Sequence, residues 1–98
     1  MADELPAEPK AGDTIEDDDN LYVVCAEGKC EKSEDVGLFC VQPHECKDPC
    51  TCMVIIAKKG DKKWEPLPKK YHNDHKAQFQ KDYPKHEYRC ICVRRHSK

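Results

Sequence analysis

The chain has 98 residues, enough for one domain with a small core. Leu, Ile, Val and Phe together supply 16 residues, below the roughly 20% at which a chain begins to look disordered, so apolar burial alone does not stabilise the fold. No apolar stretch approaches the roughly 20 residues of a membrane span, and we predict a soluble protein with no membrane partner.

Charge is divided along the chain, although the net charge is only −2. Residues 1–20 have eight acidic residues and one lysine, whereas residues 53–98 have thirteen basic and five acidic residues. This division favours electrostatic steering towards a charged partner. The acidic segment and the near-zero net charge argue against nucleic acid as that partner.

The acidic segment, residues 1–20, contains two prolines and almost no large apolar side chains, so we predict a flexible acidic tail. A single disulfide-rich domain is expected over residues 21–98. Residues 1–20 contain no apolar run of the kind that a signal peptide has. A mature form made without its leader would show the same absence.

The domain is predicted to be mainly β. Leu-Tyr-Val-Val-Cys at residues 21–25 favours a first strand, residues 26–35 a loop and residues 36–41 a second short strand. The strongest apolar run, residues 51–57, is rich in β-branched side chains and predicts the strand at the core of the sheet. Gly-Asp flanked by four lysines at residues 58–63 predicts a hairpin turn.

The C-terminal part predicts a helix and a last strand. Asn73 is expected to cap a short helix with Phe79 and Tyr83 on one face. In residues 86–95, Tyr88, Cys90 and Cys92 alternate with Arg89, Ile91 and Val93, which predicts a strand paired with residues 51–57. The predicted fold class is a small disulfide-rich protein with a short antiparallel sheet and long loops.

Eight cysteines indicate a framework of disulfides, since each bond restricts the unfolded chain by roughly 2–4 kcal/mol. Residues i and i+2 of an extended strand are poorly placed to bond each other, so neither Cys-x-Cys pair is expected to close on itself. At least one bond should join Cys90 or Cys92 to the earlier cysteines; further connectivity stays open. The predicted disulfide cysteines are Cys25, Cys30, Cys40, Cys46, Cys50, Cys52, Cys90 and Cys92.

Metal binding and catalysis are the rival interpretations of these residues. The spacing Cys25-x4-Cys30 fits a zinc knuckle only when stretched, and no Cys-x2-Cys knuckle occurs. His72 and His75 would share a helical face, but dispersed histidines in a polar chain are usually solvated. The chain lacks a Gly-x-Ser-x-Gly elbow, a His-Glu-x-x-His motif and a phosphate-binding glycine loop. We therefore predict no metal, no cofactor and no enzymatic activity.

Basic residues with interleaved aromatic residues predict a protein-binding face in the second half of the chain, because Trp, Tyr and Arg anchor protein interfaces. The alternative is a set of solvated lysines. The candidate contacts are Trp64, Lys69, Lys70, Tyr71, Tyr83, Tyr88 and Arg94, together with Tyr22 from the first half.

Two further features are consistent with a secreted inhibitor. Tyr22 follows an acidic run, Asp-Asp-Asp-Asn-Leu, the context in which tyrosine sulfation is expected; an ordinary solubilising segment is the alternative. Residues 65–70 (Glu-Pro-Leu-Pro-Lys-Lys) suit either the exposed reactive loop of a protease inhibitor or a linker.

The acidic segment followed by Leu-Tyr-Val-Val-Cys, and then Glu-Cys-Lys-Asp-Pro-Cys-Thr-Cys, resembles the small cysteine-rich salivary proteins of ticks. In size and cysteine number the chain is similar to the inhibitors of the terminal complement pathway, whose fold is likened to the von Willebrand factor type C domain. This resemblance implies a secreted inhibitor of complement component five. We also predict that the chain is a monomer. The Cys-x3-Cys-x-Cys run also resembles the chemokine-binding evasins, although the 37-residue gap before Cys90 departs from their spacing.

Overall fold

A computed structural model describes residues 4–17, 19–25, 30–41 and 50–96. Its elements are the strands β1 (Thr14–Glu16), β2 (Leu21–Val24), β3 (Cys50–Lys58), β4 (Glu65–Pro66) and β5 (His86–His96) and the helix α1 (Lys76–Asp82). All strand pairs are antiparallel in a sheet of order β1-β2-β5-β3-β4. The prediction of a small, mainly β, disulfide-rich fold is confirmed. None of the described helices is long and apolar enough to cross a membrane.

The strand predicted at residues 21–25 is confirmed as β2, and the strand predicted at residues 51–57 as β3. The last strand pairs with β3, as expected, over the whole length of β3 from Cys50 to Lys58. It is β5, however, that occupies the middle of the sheet, with β2 on its other side. The hairpin turn predicted between β3 and β4 is also present, with Gly60 at a φ of 95°.

Two predictions about local structure are wrong. Residues 36–41 do not form a strand: the chain turns at residues 36–37, and the segment contributes one isolated bridge, between Lys32 and Cys40. The physical reason is that local turn hydrogen bonds around Asp35 replace the ladder of a strand. Asn73 does not cap α1, because its side chain bonds the backbone of Cys40 instead.

The alternation predicted for β5 divides the core into two clusters, one on each face of the sheet. The face that we call the inner face has Ile55 and Val93 at 0% exposure together with Trp64, Ile15, Val24 and Ala57. The face that we call the helix face has Phe39, Phe79, Tyr88, Tyr71, Ile56 and Cys40. The edge strands β1 and β4 lie in contact, so the twisted sheet curls around the inner face.

The N-terminal segment takes part in this fold, so the division predicted at residue 20 does not follow the sheet. Ile15 on β1 is 6% exposed, and Leu5 packs against the same inner-face cluster. The carbonyl oxygen of Pro6 accepts a hydrogen bond from Trp64 Nε1 at 2.9 Å. Ile15 and Leu5 supply apolar surface that the acidic composition of the segment conceals.

Three disulfides join Cys25 to Cys50, Cys30 to Cys52 and Cys40 to Cys90. The prediction that Cys50 and Cys52 find separate partners elsewhere is confirmed, as is a bond from β5 to the earlier cysteines. Cys92 is disulfide-bonded as well. Cys46, which was also predicted to form a disulfide, lies outside the described residues.

Candidate functional site: a rigid exposed loop

Residues 31–41 form a loop that both disulfides and hydrogen bonds hold in place, and we call it the clamped loop. Disulfides flank it at Cys30 and end it at Cys40. Its two arms are joined where Ser33 N–H donates to the carbonyl oxygen of Phe39 at 3.0 Å and Val41 N–H donates to that of Glu31 at 2.9 Å. The ends of the loop are therefore fixed relative to the sheet.

The tip of the clamped loop is a tight turn with an exposed apolar side chain. The Asp35 carboxylate accepts a hydrogen bond from Gly37 N–H at 2.9 Å, and Ser33 Oγ accepts one from Asp35 N–H at 3.0 Å. Val36, which lies between Asp35 and Gly37, is 80% exposed. In the part of the chain that the structure describes, Val36 and Val41 are the exposed large apolar residues.

Asn73 fixes the base of the clamped loop from the segment that precedes α1. Its Oδ1 accepts a hydrogen bond from Cys40 N–H at 2.9 Å, and its Nδ2 donates to the carbonyl oxygen of Cys40 at 3.1 Å. Its own carbonyl oxygen accepts from Phe39 N–H at 2.9 Å. Asn73 thus acts as a neighbouring strand would, because it satisfies both backbone groups of Cys40.

Lys76, at the start of α1, binds the other side of the loop. Its Nζ donates to the carbonyl oxygens of Ser33 at 3.4 Å and Asp35 at 3.2 Å. The same Nζ lies 5.3 Å from the centre of the Tyr88 ring, and Lys32 Nζ lies 4.5 Å from that centre. Both cations are therefore attracted to the same aromatic ring.

A cavity of about 380 Å³ opens beside these lysines, and we call it the helix-side cleft. Lys32 and Lys76 supply two positive charges to its wall, against the single carboxylate of Glu87, so the cleft favours an anionic group. The ring centres of Tyr83 and His86 are 5.0 Å apart in this wall. The lining residues are Lys32, Ser33, Lys76, Gln80, Tyr83, Pro84, His86, Glu87 and Tyr88.

Three aromatic residues proposed as partner contacts belong to the core instead. Trp64, Tyr71 and Tyr88 are only 5%, 6% and 4% exposed. Trp64 lies on the inner face, covered by the Arg89 guanidinium 5.1 Å from its ring centre. A chain with so little aliphatic surface uses its large aromatic side chains to fill both clusters, which removes those rings from any exposed binding face.

The remaining proposed contacts are more accessible, and four of them share neighbours in pairs. Tyr22 and Lys69 both interact with Asp17, and Lys70 and Tyr83 both lie against the Tyr71 ring. Lys69 and Lys70 are exposed beyond β4, and Lys69 forms an ion pair with Asp19. Arg94 is exposed near the C-terminal end of β5, while Tyr83 is half-buried at the end of α1. Tyr22 is half-buried on β2 and packs against the inner-face cluster.

The segment proposed as a reactive loop, residues 65–70, is attached to the sheet over its first half. Glu65 and Pro66 form β4, and Leu67 N–H donates to the carbonyl oxygen of Val54 at 2.9 Å. Leu67 is half-buried against the helix-face cluster. The exposed part of the segment is the turn at Lys69 and Lys70.

Tyr22 and Asp17 interact at the β1–β2 connection. Backbone N–H groups of Asp19 and Asn20 hold the pKa of Asp17 below its ordinary value, and the Tyr22 side chain adds a further hydrogen bond. The aromatic ring packs on the core and the hydroxyl bonds the Asp17 carboxylate, so sulfation would replace that hydrogen bond with a second negative group beside Asp17. Sulfation of Tyr22 stays a prediction.

A second tyrosine–carboxylate pair links the turn after β4 to α1. Burial, together with the hydrogen bond that its hydroxyl donates to Asp82, raises the pKa of Tyr71 to about 12. The same bond lowers the pKa of Asp82. Gln78 Nε2 donates to the other oxygen of Asp82 at 2.9 Å. The pair ties the helix to the sheet.

The groups considered for metal binding have other partners. The sulfurs of Cys25, Cys50 and Cys92 lie within 4.8 Å of one another, but all three cysteines are disulfide-bonded and so supply no thiolate. His72 and His75 precede α1, and His75 Nδ1 accepts a hydrogen bond from His72 N–H at 3.2 Å.

The sequence interpretation missed the clamped loop. Its one signal was an isolated Val-Gly pair in a charged stretch of nine residues between two cysteines, and this pattern predicts neither the turn nor the exposure of Val36. No family model, curated protein or solved structure matches this chain.

Proposed function

We propose that this chain is a secreted inhibitor that binds an extracellular host defence protein through the clamped loop and so blocks that protein. The observation that carries the proposal is the 80% exposure of Val36 at the tip of a loop whose backbone is fixed. A binding loop that is already immobilised loses little conformational entropy when it binds, so more of the contact energy contributes to affinity. Loops on rigid scaffolds often carry function for this reason.

The chemistry of the tip suits one kind of partner surface. Val36 offers an apolar side chain of the size that fills a small pocket, and the exposed acidic residues Glu34 and Asp35 precede it. A complementary surface would have an apolar pocket bordered by basic groups. The disulfides support an extracellular setting, because such bonds persist in oxidising compartments. The proposed role is binding, not catalysis.

Complement component five is the first target to test, because the resemblance to the terminal-pathway inhibitors of ticks implies it. The experiment measures binding of the full chain to immobilised component five, with haemolysis as the functional readout. Val36→Asp should weaken binding about thirtyfold, the effect of losing an interface hot spot of about 2 kcal/mol. Haemolysis should need correspondingly more of the variant protein.

Ala11→Asp is the matched control, since Ala11 is also exposed at a turn and the substitution adds the same charge. It should leave both readouts unchanged. Absence of binding and of inhibition by the unmodified chain would discard component five as the target. If the chain instead binds a chemokine and this binding depends on Val36, the clamped loop remains the binding site and only the target changes. Equal loss of affinity in Val36→Asp and Ala11→Asp would refute the clamped loop as the binding site.

A further inference from the structure

The β3–β4 hairpin presents four lysines on a rigid turn, and we call residues 58–63 the lysine hairpin. Lys58, Lys59, Lys62 and Lys63 are all exposed. The turn is fixed by Asp61, whose carboxylate accepts a hydrogen bond from Lys58 N–H at 3.0 Å. Gly60 N–H also donates to the carbonyl oxygen of Glu4 at 3.0 Å. The positive charges are therefore displayed from a defined backbone.

These charges are not neutralised by ion pairs. Among the described residues, no carboxylate lies within ion-pair distance of any of the four lysines. Acidic side chains do lie near the hairpin: the Asp61 carboxylate bonds the hairpin backbone, and Lys63 lines a cavity of about 380 Å³ with Glu16, Asp17 and Glu65. Four lysines within six consecutive residues create a local positive potential, which favours a bound polyanion.

The lysine hairpin continues into the helix-side cleft. Lys58 and His86 are paired on β3 and β5. Both positions belong to the helix face, because Ile56 and Tyr88, each two residues away on the same strand, pack in its cluster. His86 lines the cleft with Lys32 and Lys76. The lysines of the hairpin and the cleft lysines Lys32 and Lys76 are thus connected through the position of His86.

The composition of the hairpin indicates which class of polyanion fits. Its residues are Lys-Lys-Gly-Asp-Lys-Lys, with no apolar or aromatic side chain to form the dry centre of a protein interface. Lysine ammonium groups bind sulfate and phosphate as point charges along an extended chain. Because disulfides place the chain in an oxidising compartment, sulfated glycans are the polyanions that it would meet there.

We propose that the lysine hairpin and the helix-side cleft together bind a sulfated glycosaminoglycan chain. The hairpin lysines contact successive sulfates, and the cleft holds one anionic group against Lys32 and Lys76. This site is separate from the tip of the clamped loop, so it concentrates the protein on a glycan surface without covering Val36.

The test measures the affinity of the full chain for a heparin octasaccharide over a range of salt concentrations. The double substitution Lys59→Gln/Lys62→Gln should weaken binding about tenfold and lower the slope of log affinity against log salt by about two, one for each charge removed. Lys32→Gln, in the cleft, should weaken binding about threefold. A fully desulfated, N-acetylated octasaccharide should not bind.

Lys10→Gln/Arg95→Gln is the matched control, because both residues are exposed and neither belongs to the lysine hairpin or lines the helix-side cleft. It removes two charges and should leave the affinity within about twofold. Equal weakening by both double variants would refute the location of the site. Failure to bind heparin, or equal binding to a DNA duplex of the same charge, would refute a glycan site. Circular dichroism spectra that match the unmodified chain establish that each variant is folded.

Discussion

The two faces of the sheet are stabilised by different means, although the same strands form both. The inner face is closed by apolar packing of residues such as Ile55, Val93 and Trp64. The described disulfides end at Cys50, Cys52 and Cys90, which alternate on β3 and β5 with the inner-face residues and so belong to the helix face.

The difference follows from what covers each face. On the inner face, β1, β4 and the curled sheet supply regular structure with its own hydrogen bonds. The helix face is covered by the seven residues of α1 and by the clamped loop, which has a single β-bridge. So short a helix is marginal without tertiary support. On the helix face, disulfides hold segments that regular secondary structure does not hold. This small chain therefore places its described disulfides on the face with less secondary structure.

The largest expected effect is from the disulfide between Cys40 and Cys90, which joins residues 50 apart. Replacing both by Ala should lower the free energy of unfolding by about 4 kcal/mol, because the unfolded chain regains the entropy of a loop of that length. Urea denaturation without reductant measures the loss. Hydrogen exchange should become faster in the clamped loop.

The disulfide between Cys30 and Cys52 is a second test of how loop length affects stability, because its two cysteines are only 22 residues apart. Its removal should cost about 3 kcal/mol by the same argument. A larger loss for this shorter loop than for the Cys40–Cys90 pair would show that the difference in loop closure does not govern the stability of the helix face.

Apolar packing on the inner face gives the next largest effect. Ile55→Ala should lower the free energy of unfolding by about 3 kcal/mol, because Ile55 is 0% exposed and the substitution leaves a cavity. Val54→Ala, in the same strand but half-buried on the helix face, should cost about 1 kcal/mol. Urea denaturation compares them, and equal losses would remove the distinction between the two faces.

A smaller effect is expected from Asn73, which connects the clamped loop to the segment before α1. Asn73→Ala should cost about 2 kcal/mol, because both backbone groups of Cys40 lose their partner. Asn20→Ala, whose side chain makes none of the described hydrogen bonds, should change stability by less than about 0.5 kcal/mol. If the two substitutions cost the same, the disulfide alone holds the base of the loop.

The smallest effect concerns Asp82, whose pKa is lowered by the hydrogen bond from Tyr71. Because the folded pKa is below the unfolded one, the stabilisation by this carboxylate is present above pH 3.8 and is lost as the pH falls through the folded pKa. The difference in unfolding free energy between the unmodified chain and Asp82→Asn should therefore shrink below that pH. In a Tyr71→Phe background this pH dependence should be weaker; an unchanged dependence would exclude the Tyr71 bond as its cause.

Sequence periodicity predicted the strands well where both faces have a clear pattern. The alternation in residues 86–95 predicted β5 and its two faces, and the apolar run at residues 51–57 predicted β3. Both signals are local, because side-chain direction in a strand has a period of two. The Gly60 hairpin was predicted by the same kind of local chemistry.

The parts that could not be predicted depend on contacts distant in sequence. Asn73 is a residue type that often caps helices, but its side chain is hydrogen-bonded to Cys40, 33 residues away in the sequence. Trp64 and Tyr71 are residue types that often anchor protein interfaces, and only the fold shows that they fill a core with few aliphatic residues. Val36 is an exception: it was assigned to a strand because residues 36–41 are rich in apolar side chains, although the hydrogen bonds that turn the chain at Asp35 are local. The candidate site was therefore missed.

Disulfide mapping of the native protein tests the central claim most directly. Partial reduction with stepwise alkylation is needed, because only Thr51 separates Cys50 from Cys52. We predict no free thiol and bonds joining Cys25 to Cys50, Cys30 to Cys52 and Cys40 to Cys90, with Cys46 as the cysteine that this count leaves for Cys92. Free thiols at β3 or β5, or a bond within either Cys-x-Cys pair, would contradict the assignment of covalent support to the helix face.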